Sequence, residues 1–222
     1  METLYKLRFI FFLITQLLIL FGSLLVPSDV YENILLPILF LVNIGAGILL
    51  ISKSKLLMWF IIILFGTSAI AFGANLISRN QSDEYILLRL SIYFIFHIII
   101  TYNIVKQVWT ALIVDKNVII GLMSGYISLG FLAFFLFMCI ELVFPGAFQG
   151  VLLEGGSFEL RMDNIMYFAY ITLLTIGYGE ILPVITIAQK ATILVGLVGQ
   201  FYMVIVTAVV IEKYIKHSIK NE

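Results

Sequence analysis

Residues 172–183 read TLLTIGYGEILP, two glycines flanking one tyrosine shortly before a proline, in a chain that is otherwise mostly hydrocarbon. Backbone of this kind does not stay helical, so the question is what surrounds the break. With 62% hydrophobic and 12% charged residues and a mean hydropathy of +1.13, the 222 residues hold too little polar side chain to clothe a soluble surface. An integral membrane protein in contact with lipid is expected. The net charge of zero and the pI near 6.7 give no footing for nucleic acid or for an electrostatic surface partner. The single cysteine, Cys139, sits in an apolar run, so an intrachain disulfide is ruled out and a metal cluster is not expected.

A membrane-spanning helix takes about 20 apolar residues, and six runs of about that length lie at 8–26, 33–52, 55–77, 86–106, 118–144 and 186–212. The breaks between the first five are PSDVYEN, SKSK, SRNQSDE and VDKN. The gap from Pro145 to Ile185 is longer, contains GGSFELRMD, and holds a further apolar stretch, NIMYFAYITLL, too short to cross the bilayer at about 1.5 Å per residue. A re-entrant element is predicted there. Lys6 and Arg8 give the first run a basic start, but its apolar part is longer than that of a signal peptide and no A-x-A-like site follows. It is therefore read as a retained helix.

If the helices alternate, Lys6, Arg8, Lys53, Lys55, Lys106, Lys116, Lys213, Lys216 and Lys220 fall on one side, and Arg79, Arg89, Arg161 and Lys190 on the other. Both ends are then expected in the cytoplasm of a multi-pass cell-membrane protein. The TIGYG stretch opens to the exterior.

Non-helical backbone at membrane depth is tolerated where protein buries it or where it lines a water-filled path, because an unsatisfied amide costs several kcal/mol in hydrocarbon. Gly177 and Gly179 permit positive φ at alternate residues, so that successive carbonyls can turn to one side. Several copies of such a strand would stack carbonyl oxygens that replace the water shell of a cation, with the Thr175 hydroxyl adding one more layer at the inner end.

At these residues the chain resembles the potassium-channel pore family. The match is T-I-G-Y-G, Thr175 to Gly179, preceded by MYFAYITLL and followed by Glu180 and Pro183, and it extends over about residues 118–216 as outer helix, turret, pore helix, filter and inner helix. The resemblance implies K⁺ coordination by the carbonyls of Thr175, Ile176, Gly177 and Tyr178 and by the Thr175 side chain, with Gly179 completing the filter. It implies that the Tyr178 ring points away from the ion and braces the strand. Glu180 stands where the family commonly has Asp, and Tyr167 and Phe168 where it commonly has Trp, so the hydrogen-bonded cuff around the filter is expected to differ. Thr172 is placed either to bond behind the filter or simply to satisfy its own hydroxyl. Asp163 or Asn164 is expected to cap the pore helix.

In the last helix, Gly199 falls where the family has its hinge glycine, one turn after Gly196, with bending and close packing as alternative roles. Gln200, Met203, Thr207 and Ile211 recur near helical spacing and are expected to face the inner cavity and its cytoplasmic constriction. Gln200 could meet a hydrated ion or a blocker, or bond a neighbouring helix. The pairs Ala69/Gly73 and Gly121/Gly125 have small-xxx-small spacing suited to helix packing. In the fourth run Arg89 is followed at every third position by Ile92, Ile95 and Ile98, so the charge ladder of a voltage sensor is missing.

The sequence reading is thus an all-α membrane protein of six transmembrane helices plus a re-entrant pore helix and an extended filter strand. Residues 1–117 form a four-helix domain of unassigned role, 118–216 a potassium-channel-like pore domain, and 217–222 a short cytoplasmic tail. The expected function is passive K⁺ conduction by a homotetramer, weakly voltage-dependent, with no enzymatic activity and no cofactor beyond K⁺ as the permeant ion. Any ligand gating would use membrane segments or a separate regulatory subunit. Two other readings remain: a cation-coupled secondary transporter, whose paired repeats are not found, and a non-conducting channel-like subunit, against which the intact TIGYG argues.

Overall fold

The computed structural model describes residues 7–27, 30–52, 54–77, 83–111, 114–155 and 158–220. Helices α1 (Arg8–Phe21), α2 (Leu36–Ile51), α3 (Lys55–Ile77), α4 (Asp83–Thr110) and α5 (Lys116–Val143) come first, α2 being entered through a wide π turn at Tyr31–Leu35. After α5 come strand β1 (Phe148–Gln149), helix α6 (Phe158–Leu173), strand β2 (Leu182–Pro183) and helix α7 (Thr186–Phe201). A second π turn, Tyr202–Val206, carries α7 into α8 (Thr207–Lys220).

Each of the six apolar runs contains helix. Among the described residues, the helices long and apolar enough to cross a membrane are Leu88–Thr110, Lys116–Val143 and Thr186–Ile215, while Arg8–Leu24, Leu36–Ile51 and Lys55–Ile70 are shorter apolar helices. Of the cations that orient the chain, Lys6, Lys53 and Arg79, and the side chains of Lys216 and Lys220, lie outside the described residues.

Helix α5 is the spine. Asp115 caps it, accepting the Val118 N–H at 3.0 Å, and its Phe131, Phe134, Phe135 and Phe137 are fully buried. The preceding helices attach to it through buried amides and hydroxyls: Gln16 of α1 donates to Ser128 at 2.6 Å and accepts from Ser124 at 2.9 Å. Asn43 of α2 donates to Thr15 at 2.8 Å. In lipid, where apolar contact alone gives no preference for a partner helix, such bonds and small residues set the packing. Gly121 illustrates the second device, since a side chain there would press on the Phe9 ring of α1 at 3.1 Å. Gly125, one turn on, makes room for Ile104 of α4 and for the Tyr202 hydroxyl, so this pair packs as its spacing suggests. The surroundings of Gly73 lie outside the described side chains.

At the far end of the chain, Lys213 of α8 donates to the Trp109 carbonyl and, at 3.0 Å, to that of Ala111. Trp109 lies in the last turn of α4 and Ala111 just past its end, where carbonyls lack helical partners and attract a cation. The last helix is therefore fastened to the helix that precedes the spine.

Candidate ion pathway

Helix α6 spans 16 residues, about 24 Å at 1.5 Å per residue, which falls short of a bilayer's hydrocarbon thickness. It begins at Phe158, so Asp163 and Asn164 lie inside it and are not its N-cap as the sequence suggested. The apolar stretch that marked the element starts at residue 164, but the polar ELRMD before it is equally able to form helix, and Asn164 instead donates its side-chain amide to the Leu152 carbonyl.

A helix end leaves four carbonyls without intrahelical partners, and at α6 each is accounted for. The Tyr170 carbonyl accepts from Leu174 N–H at 2.8 Å, Thr172 from Thr175 N–H at 3.0 Å, and Ile171 from Ile176 N–H at 2.9 Å and Gly177 N–H at 3.3 Å. Leu173 accepts the Tyr126 hydroxyl of α5 at 3.2 Å. Thr172 therefore meets the strand through its backbone carbonyl.

These bonds fix the direction of the strand's oxygens. In a trans peptide the N–H and the preceding C=O point opposite ways. With the N–H groups of Thr175, Ile176 and Gly177 turned back into α6, the carbonyls of Leu174, Thr175 and Ile176 point away from it. The required backbone alternates: φ is +58° at Thr175, +58° at Gly177 and +94° at Gly179. Two of the three are glycines, which enter this region freely. Thr175 was not foreseen there, since a β-branched residue at positive φ is an outlier.

Residues 174–179 are exposed, Tyr178 to 72%, and a Cβ added at Gly177 or Gly179 would meet nothing within 4 Å in the chain. The chain supplies one wall behind this strand and leaves the other side open.

The strand is held at both ends. At its C-terminal end Tyr167 of α6 donates its hydroxyl to the Glu180 carboxylate. Phe168, its neighbour, is buried, its ring 5.3 Å from Phe137 of α5 and 5.5 Å from Phe148 of β1. Beyond Glu180, β2 pairs antiparallel with β1, Phe148 opposite Pro183 and Gln149 opposite Leu182. Gly150 passes so close that a side chain there would lie 1.9 Å from the Glu180 carbonyl oxygen.

Sequence reasoning missed Glu141. A carboxylate in the last turn of α5 opposes the helix dipole, yet it is only 3% exposed and fully engaged. It accepts from Gly146 N–H at 3.0 Å, Phe148 N–H at 3.1 Å and Arg161 of α6 at 3.0 Å. One side chain thereby joins α5, the β1 segment and α6. Tyr170 and Tyr202 were missed as well: their hydroxyls donate to the α5 carbonyls of Ile127 at 2.8 Å and Leu122 at 2.6 Å.

At the strand's N-terminal end, Gly199 of α7 is buried against α6, where a Cβ would fall 2.5 Å from the Leu173 carbonyl oxygen. Close approach is therefore one use of this glycine. Gln200 follows, its amide donating to the Thr175 hydroxyl at 3.3 Å. Gln200, Met203 and Ile211 are exposed and Thr207 is half-buried. The most apolar stretch of Thr186–Ile215 is only 28% buried, against 61% for that of Lys116–Val143.

A long helix, a short helix ending on an extended carbonyl-bearing strand, and a second long helix left largely uncovered make the architecture of an all-α membrane channel. Residues 90–216 match the family described as ion channel, and since this is more than half of the 222 residues, the chain belongs to that family. The match begins within α4, well before the outer helix at which the potassium-channel resemblance started. No curated protein and no solved structure matches the chain. The family makes the protein a channel and not an enzyme, and implies oligomeric assembly in the membrane.

Proposed function

We propose that the protein is a potassium-selective channel in which four copies of the TIGYG strand surround one axis. The observation that carries this reading is the alternation of positive φ at Thr175, Gly177 and Gly179, with the N–H groups turned back into α6. Carbonyls so turned need something other than their own chain to meet, and a row of dehydrated monovalent cations meets that need. On this reading α6 is the re-entrant pore helix, the coordinating oxygens are those of Thr175, Ile176, Gly177 and Tyr178, and both termini lie in the cytoplasm. The exposed face that runs from α7 through the π turn into α8, with Gln200, Met203 and Ile211, lines the inner cavity, and the ring of Tyr178 is braced by a neighbouring copy. The helices of residues 1–117 complete a six-span plan around the pore.

The test is cation flux from proteoliposomes under opposed K⁺ and Na⁺ gradients. Diffusive K⁺ flux blocked by Ba²⁺ is expected, whereas saturable exchange with fixed stoichiometry would make the protein a transporter. Subunit count gives a second check. Mass measurement of the active, detergent-extracted species should return a tetramer, and a fully active monomer or dimer would refute the ring.

Voltage gives a third. Moving one charge through 100 mV contributes about 2.3 kcal/mol, and the one cation of the fourth run at sensor spacing, Arg89, is followed by isoleucines at 92, 95 and 98. Opening should vary only weakly between −100 and +100 mV. Steep activation that vanishes in Arg89→Gln would show that α4 senses the field after all.

A further inference from the structure

The contact between Gln200 and Thr175 joins α7 to the start of the TIGYG strand. Its origin is local. Gly199, lacking a side chain, lets α7 come against the last carbonyl of α6, and the next residue then falls beside the first residue of the strand. The Gln200 amide nitrogen lies 3.3 Å from the Thr175 hydroxyl oxygen and donates to it. A leucine or isoleucine at 200 would fill the same space without this bond.

A threonine hydroxyl has two lone pairs and one proton. If Thr175 forms the innermost coordinating layer, one lone pair faces the ion and the other receives the Gln200 N–H. The donated hydrogen brings partial positive charge close to the bound cation. The energy of that repulsion scales with the charge of the ion, so it weighs twice as heavily on a divalent cation as on K⁺ in the same cage.

Resting on the K⁺ reading above, we propose that Gln200 is a specificity-determining residue that protects the inner end of the pore from block by divalent cations, through the hydrogen bond its carboxamide donates to Thr175. The site concerned is the ring of Thr175 hydroxyls, and the ions discriminated against are dehydrated divalents of about the size of K⁺, for which Ba²⁺ is the probe.

The experiment uses the full chain in planar lipid bilayers, with K⁺ on both sides and Ba²⁺ added to one chamber at a time. Gln200→Met keeps a straight, flexible side chain and removes the donor. Inner-side Ba²⁺ block should tighten by about tenfold, because the repulsion that is removed weighs more on the divalent ion than on K⁺. Gln200→Glu replaces the donor by an acceptor for the Thr175 hydroxyl proton and adds negative charge, so block should tighten by about a hundredfold. Inner-side block by the monovalent ion Cs⁺ should tighten much less than block by Ba²⁺, which a general loosening of the strand would not produce, and equal tightening for both ions would overturn the inference. Native Ba²⁺ affinity from both sides in both variants would overturn the inference while leaving the K⁺ reading intact. A native chain that passes no K⁺-selective current would overturn the reading itself, and the inference with it.

Discussion

Gly177→Ala is expected to abolish K⁺ flux while leaving a chain that folds and assembles. Within its own chain the added methyl group meets nothing within 4 Å, so packing of the subunit is undisturbed. The loss comes from the backbone. At φ +58° an L-residue with a Cβ is disfavoured by roughly 1–2 kcal/mol, and the penalty recurs in every copy of a ring that works only when all its carbonyls face inward. Four such costs favour rotation of the peptide out of register, and four methyl groups crowd the neighbouring strands. Liposome flux should fall to the level of empty vesicles with the mass of the oligomer unchanged. Native flux in this variant would mean that the TIGYG strand is not the conduction path.

The second large effect is predicted at Glu141. Replacing it by leucine removes a buried carboxylate that serves two backbone N–H groups and Arg161. Deleting one partner of a buried ion pair typically costs 3–5 kcal/mol. Arg161 is 37% exposed and recovers part of its solvation, so about 3 kcal/mol is expected. The thermal midpoint of the detergent-solubilised protein should drop clearly in Glu141→Leu and less in Glu141→Gln, which retains one acceptor oxygen. Because the bond fixes β1 and α6 relative to α5, the strand's outer end should also loosen, seen as faster loss of K⁺ current during sustained opening. A leucine variant as stable as the native chain would show that Arg161 and the two amides find other partners.

What the sequence made legible is instructive in physical terms. TIGYG was readable because glycine at alternate positions has few other reasons to occur beside an apolar stretch too short to span a bilayer, and the structure gives Gly177 and Gly179 the positive φ that this reading requires. The helical runs were readable because membrane helices announce themselves by composition. Their ends were less so: α6 starts at Phe158, before the apolar stretch, and the last helix passes through a π turn at Tyr202–Val206 that no periodicity marks.

The tertiary bonds were not readable at all. Tyr126, Tyr170 and Tyr202 look like ordinary apolar-face aromatics until their hydroxyls are seen to serve carbonyls on another helix. Glu141 stands in the last turn of a helix, and nothing local in the sequence reveals that it gathers the segment beyond. Tyr167 and Phe168 stood together in the sequence as supports for the strand. They separate in space because successive residues on a helix project about 100° apart, one toward Glu180 and the other into the Phe137–Phe148 cluster. The positive φ of Thr175 follows from the strand's alternation, which overrides the preference of a β-branched residue.

The central claim is that the carbonyls of residues 175–178 select K⁺. The most direct measurement is the reversal potential of the purified native protein in a planar bilayer with K⁺ on one side and Na⁺ on the other. Selection by a dehydrating carbonyl cage predicts a reversal potential displaced by more than 60 mV in the direction that marks K⁺ as the permeant ion, corresponding to a permeability ratio above about tenfold. A reversal potential near zero, with both cations carrying current, would contradict it.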